Sequence, residues 1–565
     1  MPDEKEIRGR VAAAERDIDA YFDRELKIGG QYRPALIDAM LDVTEQLVTG
    51  HRAPDGKYDD SIRALYINVV GGLNWSLRKA AQLGSLSRRP IPEDIVRIAH
   101  HCISDGLAYP FVESAFYSYW KGYATVAFPR DREIVFTPTG GDLDARLRRH
   151  HSRDGIDDSV KPIRDNPLLD VESPTAEKFA RSLMKRSVVK KVGGFIWKVD
   201  TGVVKTVADV MTDFIGSRIE APDMKFDGLS VGGLVRGVGV VLAVSQIHVL
   251  VSILMGKDPT DVSTSVNWPS LFRHKREWLR WFEIGGADEK VLTALTFDFN
   301  DKYGDVAISP LVPIDNDHLG VVPSVVMRSN WSRNLLALLA RRFSDVYSTY
   351  SASKEDRLLS SFLGSETGRA RARKVQLPEW KGRRLPDIDL IVSSPDDSLV
   401  AIAEVKWQLS ASETRDVIAR NEYLKKGGEQ LSRIREFLNE NPRYLLDRKV
   451  LDRALEQDRT VYLLLCKGHM ASEDVIRPGI VVADWDVFCD NVSRLTLSET
   501  IEKLASYEYL PIEGRDFTVD VTRLQFGDWV VGWKQFHAPE LPPDTETEAL
   551  EELYRTAYKF FPREW

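Results

Sequence analysis

Cysteine is scarce. Three residues, Cys102, Cys466 and Cys489, are scattered along 565 positions with no C-x-x-C pair. This excludes a disulfide framework and a cysteine-built structural zinc, and it implies a reducing, cytoplasmic setting. A G-x-x-x-x-G-K-[ST] phosphate loop is missing, so no P-loop ATPase or helicase is encoded. The glycines around Gly232 lack a G-x-G-x-x-G fingerprint. The opening Met1-Pro2-Asp3-Glu4-Lys5-Glu6 is charged, unlike a secretory signal. Long uncharged runs are also rare. One, residues 237–256, is long enough to span a bilayer. Arg236 precedes it, Gln246 and His248 lie inside it, and glycines cluster at its start. The expectation is a buried helix and no membrane partner.

What is present describes a globular protein. Hydrophobic residues make up 43 % and charged residues 29 % of the chain, and its length suits two to four domains. The formal charge of -8 does not exclude a nucleic-acid partner, because a groove needs only a local basic field. Helical periodicity runs through residues 5–26, 33–48 and 92–106. Residues 124–139 read as a strand and turn, and 146–158 as an exposed polar connection. A second helical region covers 174–255, and strand-like runs follow at 295–299 and 319–322. Residues 332–363 read as a long, broken helix, and 416–439 as a helix interrupted at Gly427-Gly428. Buried strands are expected at 461–465 and 479–483. A Trp/Phe-rich strand follows at 526–536, then an acidic helix at 545–558. The domain reading is a helical unit (1–140), a mostly helical middle unit (141–330), an α/β unit (331–495) and a C-terminal extension (496–565).

Chemistry concentrates in two runs, Pro386-Asp387-Ile388-Asp389-Leu390-Ile391-Val392 and Ala401-Ile402-Ala403-Glu404-Val405-Lys406-Trp407. Successive strand residues point to opposite faces, so Asp387 and Asp389 share one face, and so do Glu404 and Lys406. Ile388, Leu390, Val392, Ala403 and Val405 point the other way. The stretch Ser393-Ser394-Pro395-Asp396-Asp397-Ser398 is rich in turn formers and would fold the second strand back on the first. Carboxylates are the hard ligands magnesium prefers, and one or two suffice when water completes the shell. Charges at the end of a strand as apolar as Leu399–Ala403 are costly unless paired or metal-bound.

These residues resemble the PD-(D/E)xK nuclease superfamily, over roughly residues 330 to 495. The resemblance implies an α/β restriction-endonuclease-like core, a mixed central sheet flanked by helices, here preceded by a largely α-helical N-terminal region. Asp389 matches the metal-binding aspartate, with the apolar run behind it. Asp387, directly after the proline, is its rival as a ligand. Glu404 and Lys406 match the acidic residue and lysine of the next strand. Glu355 fits the glutamate of the preceding helix, and Gln430 the glutamine of the following one. Ile434 stands where some exonuclease-like members carry tyrosine. The implied activity is magnesium-dependent endonucleolytic hydrolysis of DNA, ahead of RNA, with manganese as a substitute metal. A homodimer or higher even assembly and a role in bacterial restriction or antiphage defence are further implications. The alternative is a catalytically inactive nucleic-acid-binding or scaffold protein that keeps the fold.

Arg369, Arg371, Arg373, Lys374, Lys381, Arg383 and Arg384 lie just upstream of Pro386 and read as phosphate contacts. Arg273-His274-Lys275-Arg276, with Trp278, Arg280 and Trp281, mixes base-stacking and phosphate-pairing types, and reads equally as an amphipathic helix with a Trp face. His100-His101 and His150-His151 have no third ligand at suitable spacing and read as non-ligands.

Overall fold

The computed structural model describes residues 3–29, 33–50, 60–83, 94–148, 188–191, 195–198, 200–217, 223–254, 270–301, 304–364, 370–395, 398–409, 414–469 and 472–537, with single positions at 150, 178, 182 and 219. The expected acidic helix at 545–558 lies outside the described residues, as does Arg369. The fold is mixed α/β, with several sheets behind a helical N-terminal region.

Helices Glu4–Gly29, Arg33–Gly50, Asp60–Leu83 and Ile95–Trp120 pack around Phe22, Met40, Leu73, Trp75 and Phe116. Apolar residues at helical spacing, such as Val11, Ile18 and Phe22, supply the buried stripe. The region 124–139 is a full hairpin, Ala124–Arg130 with Glu133–Pro138. Its sheet is completed from the far end of the chain. The segment 526–536 belongs to a second hairpin, Thr518–Phe526 with Trp529–His537, and the latter strand runs parallel to Glu133–Pro138. Phe526, Trp529 and Val531 thereby join the core of the N-terminal helices.

The long apolar run forms helix Val231–Leu254, and most of its apolar stretch, Val231–Ser252, is buried inside the protein. Its partners include helix Thr201–Gly216, Trp278 and Phe282. Trp278 and Trp281 meet edge to face, with ring centroids 5.3 Å apart in that core, so they are packing residues and not a stacking surface. Residues 295–299 are not a strand; a short helix, Glu289–Ala294, precedes a single bridge from Thr296 to Leu311. Of the exposed connection expected at 146–158, residues 151–158 lie outside the described residues, and 146–148 are not exposed. Leu147 is buried in the α/β core, and Arg146 donates to the carbonyls of Tyr507 and Pro511.

That core is a five-stranded mixed sheet. Its spatial order is Ala370–Val375, Ile388–Ser393, Val400–Trp407, Thr460–Lys467, Ile480–Asp484. The first three strands are antiparallel neighbours and the last three run parallel. Helix Thr414–Glu440 covers one face through Leu424, Leu431 and Ile434. Helices Ser344–Gly364, Trp485–Arg494 and Leu497–Ser506 supply the other cover through Leu359, Phe362, Phe488 and Leu504. Being covered on both sides explains why Val400–Trp407 reads as an unbroken apolar run until Glu404. Leu390, Val392, Ala403 and Val405 face the second layer as alternation requires, whereas Ile388, at the strand's start, packs with the first.

Candidate active site

Register places the acids. The Ile388–Ser393 and Val400–Trp407 strands pair from Ser393–Val400 to Leu390–Ala403. One step further, Asp389 stands opposite Glu404. There the ladder ends, and the Val405 N–H donates to Asp389 Oδ2 at 2.9 Å. This bond fixes the aspartate beside the next strand. Lys406, two residues on and therefore on the same face, donates to Glu404 Oε1.

Two helices complete the cluster. Glu355, Leu359 and Phe362 form one stripe of helix Ser344–Gly364, so anchoring the two apolar side chains aims the carboxylate at the sheet. Glu355 Oε1 accepts the Trp407 N–H at 3.0 Å. On the other layer, helix Thr414–Glu440 passes Gly427-Gly428 without a break, contrary to the expected interruption. A glycine inside a helix costs about 1 kcal/mol relative to alanine, which asks for a packing reason. Here a Cβ on Gly427 would sit 3.0 Å from Leu464 Cδ1 and 3.4 Å from Lys406 Cε. The missing side chain is the space in which the lysine stem lies. One turn earlier, Tyr423 sets its ring 5.7 Å from Lys406 Nζ.

The charges do not balance. Asp389, Glu404 and Glu355 surround one ammonium. Burial works against the charge on Lys406, but Glu404, Glu355 and Asp389 together outweigh it and hold the lysine protonated above its usual range. Burial raises all three carboxyls, with Lys406 opposing, and Glu404 reaches about 8. Glu404 Oε2 is buried without a hydrogen-bond partner. An orphaned carboxylate oxygen next to a second carboxylate calls for a proton or a cation between them. Asp389 and Glu404 therefore fit a divalent ion. Among the described residues no three His, Cys, Asp or Glu side chains form a complete cage; magnesium needs only one or two carboxylates and otherwise keeps its water.

The remaining expected residues divide. Asp387 is half-buried just before its strand and makes no ion pair among the described residues, so the geometry favours Asp389. Gln430 is half-buried on the Tyr423–Gly427 stripe of its helix, without a hydrogen bond to the acids. Of the basic group, Lys374 aligns opposite Asp389 across the sheet, at a left-handed φ of 49°, and pairs with Asp356 at 2.6 Å. Arg373 donates to Ser360, and Lys381 pairs with Glu440 at 2.6 Å. Arg383 and Arg384 are exposed on a two-residue hairpin strand, without an ion-pair partner among the described residues. Arg371 lies in the edge strand Ala370–Val375. Lys374 and Lys381 are thus engaged by carboxylates on two different helices.

Tyr423 was not singled out from sequence, and Gly427 was read only as a helix break. A glycine pair inside an otherwise helical pattern was the available signal, since such a pair marks close approach as well as a break. No protein-family model, curated protein or solved structure matches this chain.

Proposed function

We propose that this protein is a metal-dependent nuclease with a restriction-endonuclease-like core, hydrolysing phosphodiester bonds of DNA inside the strand. One observation carries the reading: two carboxylates on adjacent paired strands, one with an unpartnered buried oxygen, lie beside a lysine held in its charged state. A magnesium ion, or manganese in its place, bound by Asp389 and Glu404 would supply a Lewis acid and a more acidic water. Lys406 orients the attacking water and offsets negative charge that builds on the phosphate oxygens. Glu355 and Asp389 keep that ammonium charged and in place. The order of the sheet strands, with antiparallel pairs around Asp389 and parallel ones beyond Glu404, supports the fold assignment.

Incubation of the purified protein with plasmid and magnesium tests the reading. The wild type cuts, chelation stops it, and Lys406→Ala lowers the rate by about 100-fold or more. Equal cutting by the variant overturns the assignment. The alternative is a nucleic-acid-binding or scaffold protein that keeps the fold without cutting. Binding without magnesium-dependent cleavage, on both single and double strands, would select it.

A further inference from the structure

We propose that Tyr423 is the base-stacking residue of this site, and that the site takes a nucleotide whose base is unpaired; the proposal rests on the nuclease reading above. Tyr423 stands four residues before Gly427, on the helix stripe that faces Lys406. Lys406 Nζ lies 5.7 Å from its ring centroid, and the phenol also senses Glu355 and Glu404 electrostatically. The residue nevertheless stays 40 % exposed. An aromatic side chain that borders a buried charge cluster while presenting so much surface to solvent forms the rim of a site.

A phosphate drawn to Lys406 carries a sugar and base with it, and the exposed ring is the nearest flat surface for that base. Inside a duplex both faces of a base are covered by its neighbours, so stacking on protein requires an unpaired or extruded nucleotide. Stacking of this kind is tolerant of sequence, because every base has a π-face. Unpaired bases are common to single-stranded DNA and single-stranded RNA, and the chemistry at the ring is the same for both.

The test uses the full chain with calcium in place of magnesium, so that binding is read without cleavage. Short single-stranded DNA, single-stranded RNA and duplex DNA, each carrying one 2-aminopurine, are titrated with wild type, Tyr423→Phe and Tyr423→Leu. Single strands bind the wild type more tightly than the duplex, with a change in 2-aminopurine fluorescence on stacking. Tyr423→Leu binds them about 10- to 100-fold more weakly and loses that change, and Tyr423→Phe restores both. The DNA and RNA arms identify the natural source of the unpaired base. Leucine binding as well as tyrosine, a duplex preferred to single strands, or no binding at all would overturn the proposal. The nuclease reading fails separately: stacking intact, but no cleavage of the same strands by wild type in magnesium.

Discussion

Glu404→Gln is expected to stabilise the metal-free protein at pH 9 and to leave it nearly unchanged at pH 5. Burial raises the Glu404 carboxyl from 4.5 to about 8 in the folded state, because one ammonium cannot satisfy three buried carboxylates. A carboxyl raised on folding binds its proton more tightly in the native state. The associated stability is complete below the unfolded value, and is lost as pH rises through the folded one. The window therefore runs from about 4.5 to about 8. At 1.36 kcal/mol per unit, the difference amounts to at most about 5 kcal/mol once Glu404 is fully ionised. Glutamine imitates the protonated form at every pH, and Lys406 keeps Asp389 and Glu355 as counter-charges. Urea unfolding in chelator, followed by tryptophan fluorescence at pH 5, 7 and 9, reads the gap between the two proteins. Taking the gap cancels the slopes of other raised acids, such as Glu45. A gap that does not change with pH, or a variant less stable than wild type at pH 9, would refute the charge argument. Added magnesium at pH 9 should recover wild type and not the variant.

Three further outcomes are expected. Asp389→Asn abolishes the rise in Tm that magnesium or manganese produces, whereas Asp387→Asn retains it, because only Asp389 is pinned beside Glu404 by the Val405 N–H. Gly427→Val, whose Cβ would press on Leu464 and Lys406, costs about 1–3 kcal/mol in thermal or urea unfolding, and lowers cleavage further than that loss explains. Trp278→Ala, emptying a fully buried position of the central helical core, costs about 3–5 kcal/mol in the same unfolding assay.

The acidic strands were legible because strand alternation is strict: a turn at 393–398 could bring Asp389 close to Glu404, and the Leu390–Ala403 register then separated Asp389 from its rival Asp387. The buried strands at 461–465 and 479–483 carried their own signal, an apolar run framed by turns. What sequence could not supply were contacts set by a third element. Gly427 looked like a helix break because propensity counts the cost of glycine and not the lysine stem that occupies its space. Trp278 and Trp281 have the composition of a nucleic-acid surface, and only the packing of Val231–Leu254 turns them inward. The basic residues before Pro386 are clustered in sequence, yet the hairpin at 379–384 and the edge strand send them to different partners.

The parallel pairing of Val530 with Glu133 joins positions 397 residues apart. A ribosome makes the Glu133–Pro138 strand long before its partner. Until that partner is made the strand has a bare edge, while the α/β core, lying between the two hairpins, has all its own strands once residue 484 has emerged. The catalytic candidate is therefore assembled before the helical unit is sealed. A chain stopped ahead of residue 518 would carry the acids and the lysine without the strands that close the other half.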